Sequence, residues 1–222
     1  MTDSPWSPSL ASSSDGRAGR APHRLIEVVT VLLLGLATVG SAWSAYQVSR
    51  WNGVETDEAR ASAGFRIDAS REYALATQIV AYDASAVSQY GQAVSADNPD
   101  LQQFLRETIV RPGFRPILAE WQAEIEAGRL PTNLLQNEEY LADLFAVSDA
   151  ADDQALAAAA RSEEAGSNAD NYVQLTLFFA SALFFAGITA SFSTRFTKLT
   201  LLSAAGIVLL VAGSLLIGYP IA

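Results

Sequence analysis

Three long apolar runs, two of them nearly adjacent and the third far upstream, constrain this chain more than any other feature. Leu25 to Tyr46 is interrupted only by Glu27 and a few small polar residues, and neither Tyr172 to Phe192 nor Leu199 to Ala222 carries a charge. Each run has about 20 residues, the length a helix needs to cross a hydrocarbon core of roughly 30 Å at about 1.5 Å per residue. A buried helix of a water-soluble domain has little need of so long an uncharged stretch. The expected fold is therefore all-α: an integral membrane protein with three transmembrane helices and a helical-hairpin or bundle domain outside the bilayer. The runs divide the chain into a disordered tail at 1–23, a first span at 24–47, an intervening domain at 48–170 and a second span at 171–192. A loop at 193–198, a third span at 199–218 and a short end at 219–222 follow.

Charge sets the expected orientation. Arg17, Arg20 and Arg24 precede the first span, and Arg195 and Lys198 lie between the second and third. Both basic clusters fall on one side if all three helices cross, and cytoplasmic loops carry the excess of Lys and Arg. The N-terminus and the 193–198 loop are thus expected in the cytoplasm of a multi-pass cell-membrane protein, with the intervening domain outside. Arg50 and Arg60 run against this asymmetry. The first span has an alternative as a cleaved signal peptide, because it starts basic and contains Ala42-x-Ser44. Its apolar stretch exceeds the usual signal length, and Trp43 and Tyr46 fit an interfacial belt, so an anchor is the better reading.

The intervening domain reads as helical throughout. Val54 to Ser95 lacks proline, and Ile67, Leu75, Ile79, Tyr82, Ala86, Tyr90 and Val94 recur mostly at steps of three or four. Asn52-Gly53 is the expected hinge after the first span, with further breaks expected near Gly64 or Gly91. Asp97-Asn98-Pro99 should end this helix and start a short one through Val110. Arg111 to Pro116, with two prolines and a glycine, should be a turn. A third helix is expected over Ile117 to Ala127 with Trp121 in the core, and Gly128 to Thr132 should close it. Leu134 to Ala165 should form a second long helix, broken by Gly166-Ser167-Asn168 before the second span. Two long helices, each apolar on one face only, must pack together in the manner of a coiled coil.

Ala45-Tyr46-Gln47-Val48-Ser49-Arg50-Trp51-Asn52-Gly53-Val54, Phe114-Arg115-Pro116 with Trp121, and Asp170-Asn171-Tyr172-Val173 followed by Phe178 to Gly187 are the most distinctive stretches. On these the chain resembles a family of uncharacterised bacterial membrane proteins. The resemblance implies an N-terminal span, a helical central domain and a C-terminal two-span hairpin, and it brings no activity or binding residue with it.

Composition removes most chemistry. The single histidine, His23, lies in the tail, and there is no cysteine. A hydrolase triad, a zinc site or a Glu-x-x-His diiron site in the domain therefore lacks its imidazole or thiolate. No enzyme activity, cofactor, metal or catalytic residue is expected. Glu138-Glu139, Asp152-Asp153 and Glu163-Glu164 are adjacent pairs, which point about 100° apart on a helix and suit a solvated face better than a calcium clamp. Between Arg50 and Asp170, nine arginines and no lysine face 21 acidic residues, a net charge of −12. Such a domain should repel nucleic acid and anionic lipid. Glu27 is the one ionisable group inside a span; beside Arg24, an interfacial ion pair explains it better than ion conduction. Trp43, Tyr46 and Trp51 are expected as belt anchors. Ala37, Ser41 and Ala45, and likewise Ala182, Ala186 and Ala190, repeat at the four-residue step that lets helices approach closely in lipid.

The expected function is that of a membrane-anchored structural or interaction protein, with the lipid bilayer, a membrane protein or a second copy as partner. The alternative is an oligomeric small transport or channel component. A sensor stands behind both, since little of the chain would face the cytoplasm to carry output. In this otherwise cysteine-free chain, single cysteines at Ser12 and Thr194 should resist an impermeant thiol reagent in intact cells while one at Asn137 reacts. Labelling in the opposite sense would invert the expected orientation.

Overall fold

The computed structural model describes residues 21–130, 133 and 137–222, with side chains described from Arg24 onward. Among these residues there is no strand. Helix α1 spans Ala21–Ser95, α2 Pro99–Phe104, α3 Arg115–Glu126, α4 Glu138–Ile188 and α5 Arg195–Gly218. A π turn at Leu105–Ile109 and 3-10 turns at Pro112–Phe114 and Thr189–Ser191 join them. Three of the helices, α1, α4 and α5, contain stretches long and apolar enough to cross a membrane. The tail, apart from 21–23, and the segment at 131–132 and 134–136 lie outside the described residues.

Both long helices are more continuous than expected. α1 starts at Ala21, inside the stretch expected as tail, with Pro22 in the first turn, where its missing N–H costs nothing. It then runs unbroken through Asn52-Gly53, Gly64 and Gly91. Isolated glycine costs a helix only about 1 kcal/mol, which its many helix-forming neighbours outweigh. α4 likewise continues through Gly166-Ser167-Asn168. Gly166 serves close approach: an added Cβ would sit 3.2 Å from the Glu55 carboxyl group. The expected turn at 111–116 is shorter than proposed, because Pro116 sits in the first turn of α3, a position proline favours.

The chain forms two compact units, one of residues 1–55 and 163–222, the other of residues 56–162. In the first, α1 buries Ala37, Ser44 and Gln47, with Trp51 half-buried, at alternating steps near three and four. α4 buries Ala165, Ala169, Tyr172, Leu175, Phe179, Ala182 and Ala186, and α5 buries Leu202, Ala205 and Ala212. This alternation is that of coiled-coil seams. It departs from the expected four-residue stripes: Ser41 is half-buried, Ala45 and Ala190 are exposed, and Ser44 and Thr189 are buried instead. A four-residue step drifts around the helix, whereas a seven-residue repeat keeps one face on its neighbours.

The second unit follows the same rule. On α1, Ser62, Ala69, Ala76, Asp83 and Tyr90 are buried at seven-residue intervals, with Ala86 and Ala93 buried three residues after Asp83 and Tyr90. Ile67, Leu75 and Tyr82, expected on this face, are exposed. The seam is thus built from small residues. Ser62 Oγ donates to the Ala155 carbonyl at 2.9 Å, and Arg161 pairs with Glu58 at 2.9 Å. Larger residues gather in a single core, where Tyr90, Leu105, Val110, Phe114, Leu118 and Tyr140 pack together.

In the first unit the closest approach is at Gly40, where an added Cβ would lie 2.5 Å from the ring of Phe179, itself buried. Gly40→Ala should therefore destabilise the protein in detergent by about 1–3 kcal/mol, the usual cost of overpacking. Gly35→Ala, with nothing within 4 Å of the new methyl group, should be neutral or slightly stabilising. Equal denaturation midpoints for the two variants would contradict the packing of α1 on α4.

Candidate functional site

In the second unit the chain between α1 and α4 is keyed to them by polar side chains. Asp97 takes a positive φ of 50° to end the helical path, and Asn98 caps α2 by accepting from the Leu101 N–H at 3.1 Å. The π turn widens the next helical segment and turns its carbonyls toward side-chain donors. Tyr82 donates to the Ile109 carbonyl at 2.8 Å, and Arg115 donates to that of Glu107 at 2.9 Å.

Behind this turn lies a buried charge. The Asp83 side chain has no exposed surface. Its carboxylate accepts from Arg111 Nε at 3.0 Å, from Arg111 Nη2, and from the Tyr140 hydroxyl at 2.7 Å. Asp83 belongs to α1, Arg111 to the turn before α3, and Tyr140 to the first turn of α4, so one carboxylate joins three segments. Burial, then the hydrogen bond to Asp83, pushes the Tyr140 phenol well above its ordinary pKa. The same carboxylate, chiefly through its hydrogen bond, raises that of Arg111. Taking one partner from a buried ion pair costs about 3–5 kcal/mol, because the other charge is left uncompensated.

This frame holds α3 and its single tryptophan. Trp121 is half-buried, edge-on to Tyr90 with ring centroids 6.4 Å apart, and Gln122 donates to the Tyr90 hydroxyl. A Cβ at Gly91 would touch the indole at 3.5 Å. The indole lines a cleft of about 140 Å³, whose apolar wall is Val87, Phe114, Ile117 and Leu118. Its polar rim is Glu120, Glu124, Asn133 and Asn137. Asn137 is held in place as the cap of α4, accepting from the Tyr140 N–H at 2.9 Å. Trp121, expected as core, is thus shared between the core and this cleft. No arginine is among the described residues lining it.

The residues singled out from sequence stay dispersed. Glu27 is exposed and makes no ion pair with Arg24. The order is unfavourable, with the base N-terminal to the acid on the helix. All six residues of the adjacent acidic pairs are exposed, and no group of three or more acidic or histidine side chains is poised for a metal among the described residues. Trp43 and Tyr46 are exposed neighbours, with rings 5.8 Å apart. Trp51 differs from the expected anchor. Its indole N–H and the Tyr172 hydroxyl both donate to the Pro220 carbonyl, at 3.3 and 3.0 Å, while Gln47 accepts from the Ala222 N–H at 3.1 Å. Gln47, Trp51 and Tyr172 all come from the distinctive sequence stretches, and all hold residues 219–222.

No family model, curated protein or solved structure matches this chain.

The Tyr140 bond has a pH signature. A phenol whose folded pKa lies above its unfolded value, ordinarily about 10, contributes stability below that value and loses it as pH rises further. The protein's stability should fall between about pH 10 and 11, and Tyr140→Phe should remove part of that slope while lowering stability at neutral pH. Parallel denaturation curves for both proteins across this range would show that Tyr140 keeps no proton for Asp83.

Proposed function

We propose that this is a membrane-anchored interaction protein whose acidic helical domain, held outside the cytoplasm, engages a protein partner on the face around Trp121. The observation that carries this reading is the cleft itself. It is an aromatic-floored depression with a carboxylate and amide rim, set on a helix locked to its neighbours by the Asp83 cluster. Interface anchor sites have this composition, with a tryptophan near the centre and polar groups around it. The bilayer is the second partner, through the three apolar helices. Nucleic acid is a poor one, because residues 56–162 carry eight arginines against 17 acidic residues, a net of −9.

The test is site-specific photocrosslinking in native membranes. A crosslinker at Ala123, exposed on α3, should capture a distinct protein, and one at exposed Leu156 on α4 should not. Capture of only a second copy from both positions would favour an oligomeric transport component instead.

A further inference from the structure

We propose that the turn between α4 and α5 docks the headgroup phosphate of an anionic phospholipid. Arg195 and Lys198 are its cationic contacts, and Phe192 and Phe196 seat among the acyl chains. This goes beyond the protein-partner reading; it rests on the anchoring of the apolar helices in a bilayer and is independent of the Trp121 cleft.

Charge is the first observation. Residues 171–222 contain no acidic residue, and Arg195 and Lys198 are their only charged side chains. Among the described residues neither forms an ion pair. Three positions apart, they share one face of the first turn of α5. Arg24 comes to the same end. Glu55 lies against Gly166 and Phe179 against Gly40, so α1 and α4 run antiparallel, and α1 begins where α4 gives way to this turn. Glu27 is the one described carboxylate there, leaving three cations against one anion. Residues 1–20, joined to this end, hold two aspartates and two arginines and so add no net side-chain charge. The opposite end, residues 48–55 and 163–170, carries four acidic groups against one arginine. Of the two ends, only the one at the α4–α5 turn attracts an anionic membrane surface.

The second observation is apolar. Phe196, between the two cations in sequence, is 82% exposed, and Phe192 is 43% exposed. Phenyl rings beside basic groups at the end of apolar helices suit the boundary of a bilayer, with rings at acyl depth and cations at the phosphates. A soluble anion would leave both rings in water. A zwitterionic headgroup would bring its own cation to compete with Arg195 and Lys198.

The experiment offers the full chain, purified in dodecyl maltoside, equimolar phosphatidylglycerol and phosphatidylcholine with the same acyl chains. Native mass spectrometry counts the lipid bound. Each basic group near an anionic surface is worth about fivefold, so the protein should prefer phosphatidylglycerol by about tenfold or more. Arg195→Gln combined with Lys198→Gln should lower that preference about five- to twenty-five-fold, and Arg50→Gln, at the opposite end, should leave it unchanged. If the double variant melts lower than the parent, Arg195→Gln alone, at an exposed position, should still show about a fivefold loss. Excess glycerol phosphate should displace no lipid. Equal binding of the two lipids would overturn the proposal, as would a loss in Arg50→Gln as large as in the double variant. Displacement by glycerol phosphate would overturn it too, since the surface would then take a free anion. Carbonate washing of native membranes tests the anchoring separately. A chain that stays with the membrane yet shows no lipid preference keeps the anchoring and loses this inference. A chain that carbonate releases but that keeps the preference loses the anchoring and retains the lipid contact.

Discussion

A single carboxylate organises the second unit. Asp83 has no exposed side-chain surface, and an ion there is tolerated only if its lone pairs are satisfied and its charge is balanced. Arg111 and Tyr140 meet both conditions, and in doing so they fix where the connecting segment leaves α1 and where α4 begins. Replacing such a cluster with apolar groups of the same volume is often neutral or stabilising, so its presence argues for positional specificity more than for stability. The π turn, the Tyr82 bond to Ile109 and the placement of α3 all follow from where Arg111 is held. Trp121 reaches its cleft through that chain of constraints.

Polar keys matter here because the seams are weak in apolar terms. Apolar burial stabilises by about 25 cal/mol per Å², and Ala69, Ala76, Ala155 and Ala158 each have little area to bury. A seam of small residues brings backbones close but tolerates sliding, since one alanine fits where another did. Ser62 on the Ala155 carbonyl and Arg161 on Glu58 pin the register. Although Arg161 is exposed and its ion pair adds little energy, it still discriminates between registers seven residues apart. In the first unit glycines permit close approach instead: an added Cβ would meet Phe179 at Gly40 and Glu55 at Gly166.

The three helices long and apolar enough to cross a membrane, and the helical class, were legible in the sequence because long uncharged runs and the absence of period-two alternation are each decisive. Helix ends were legible where the backbone itself forces them, as at Asp97-Asn98-Pro99 and Gly128, the latter with a φ of 70°. The breaks expected at Asn52-Gly53, near Gly64 or Gly91, and at Gly166-Ser167-Asn168 do not occur, since glycine and its small polar neighbours permit a break without requiring one. The seam was legible at Ala86 and Tyr90, which are buried, and missed elsewhere for a related reason. Choosing the large residues Ile67, Leu75 and Tyr82 assumed that burial follows hydrophobicity, whereas seven-residue spacing selects Ser62, Ala69, Ala76 and Asp83 whatever their size. A charged residue in phase with that spacing was the available signal for Asp83. Nothing local in sequence pairs it with Arg111 and Tyr140, which lie 28 and 57 residues away.

A path for ions or polar solutes needs polar atoms free to exchange partners along it. The first unit does bury polar side chains, but they are committed locally: Ser44 to the Gly40 carbonyl at 2.9 Å, Thr189 to that of Phe185 at 2.9 Å, and Gln47 to the Ala222 N–H. Ser44 and Thr189 return to their own helices, as hydroxyls in apolar surroundings do when no other partner is near. Gln47 Nε2 is the one buried side-chain atom among the described residues without an acceptor, and it stands beside the bonds that hold residues 219–222. One unsatisfied amide beside these bonds is a local cost of about 1–3 kcal/mol; a conduction path would require a series of such groups along the apolar helices. The buried polar side chains described in this unit therefore serve packing.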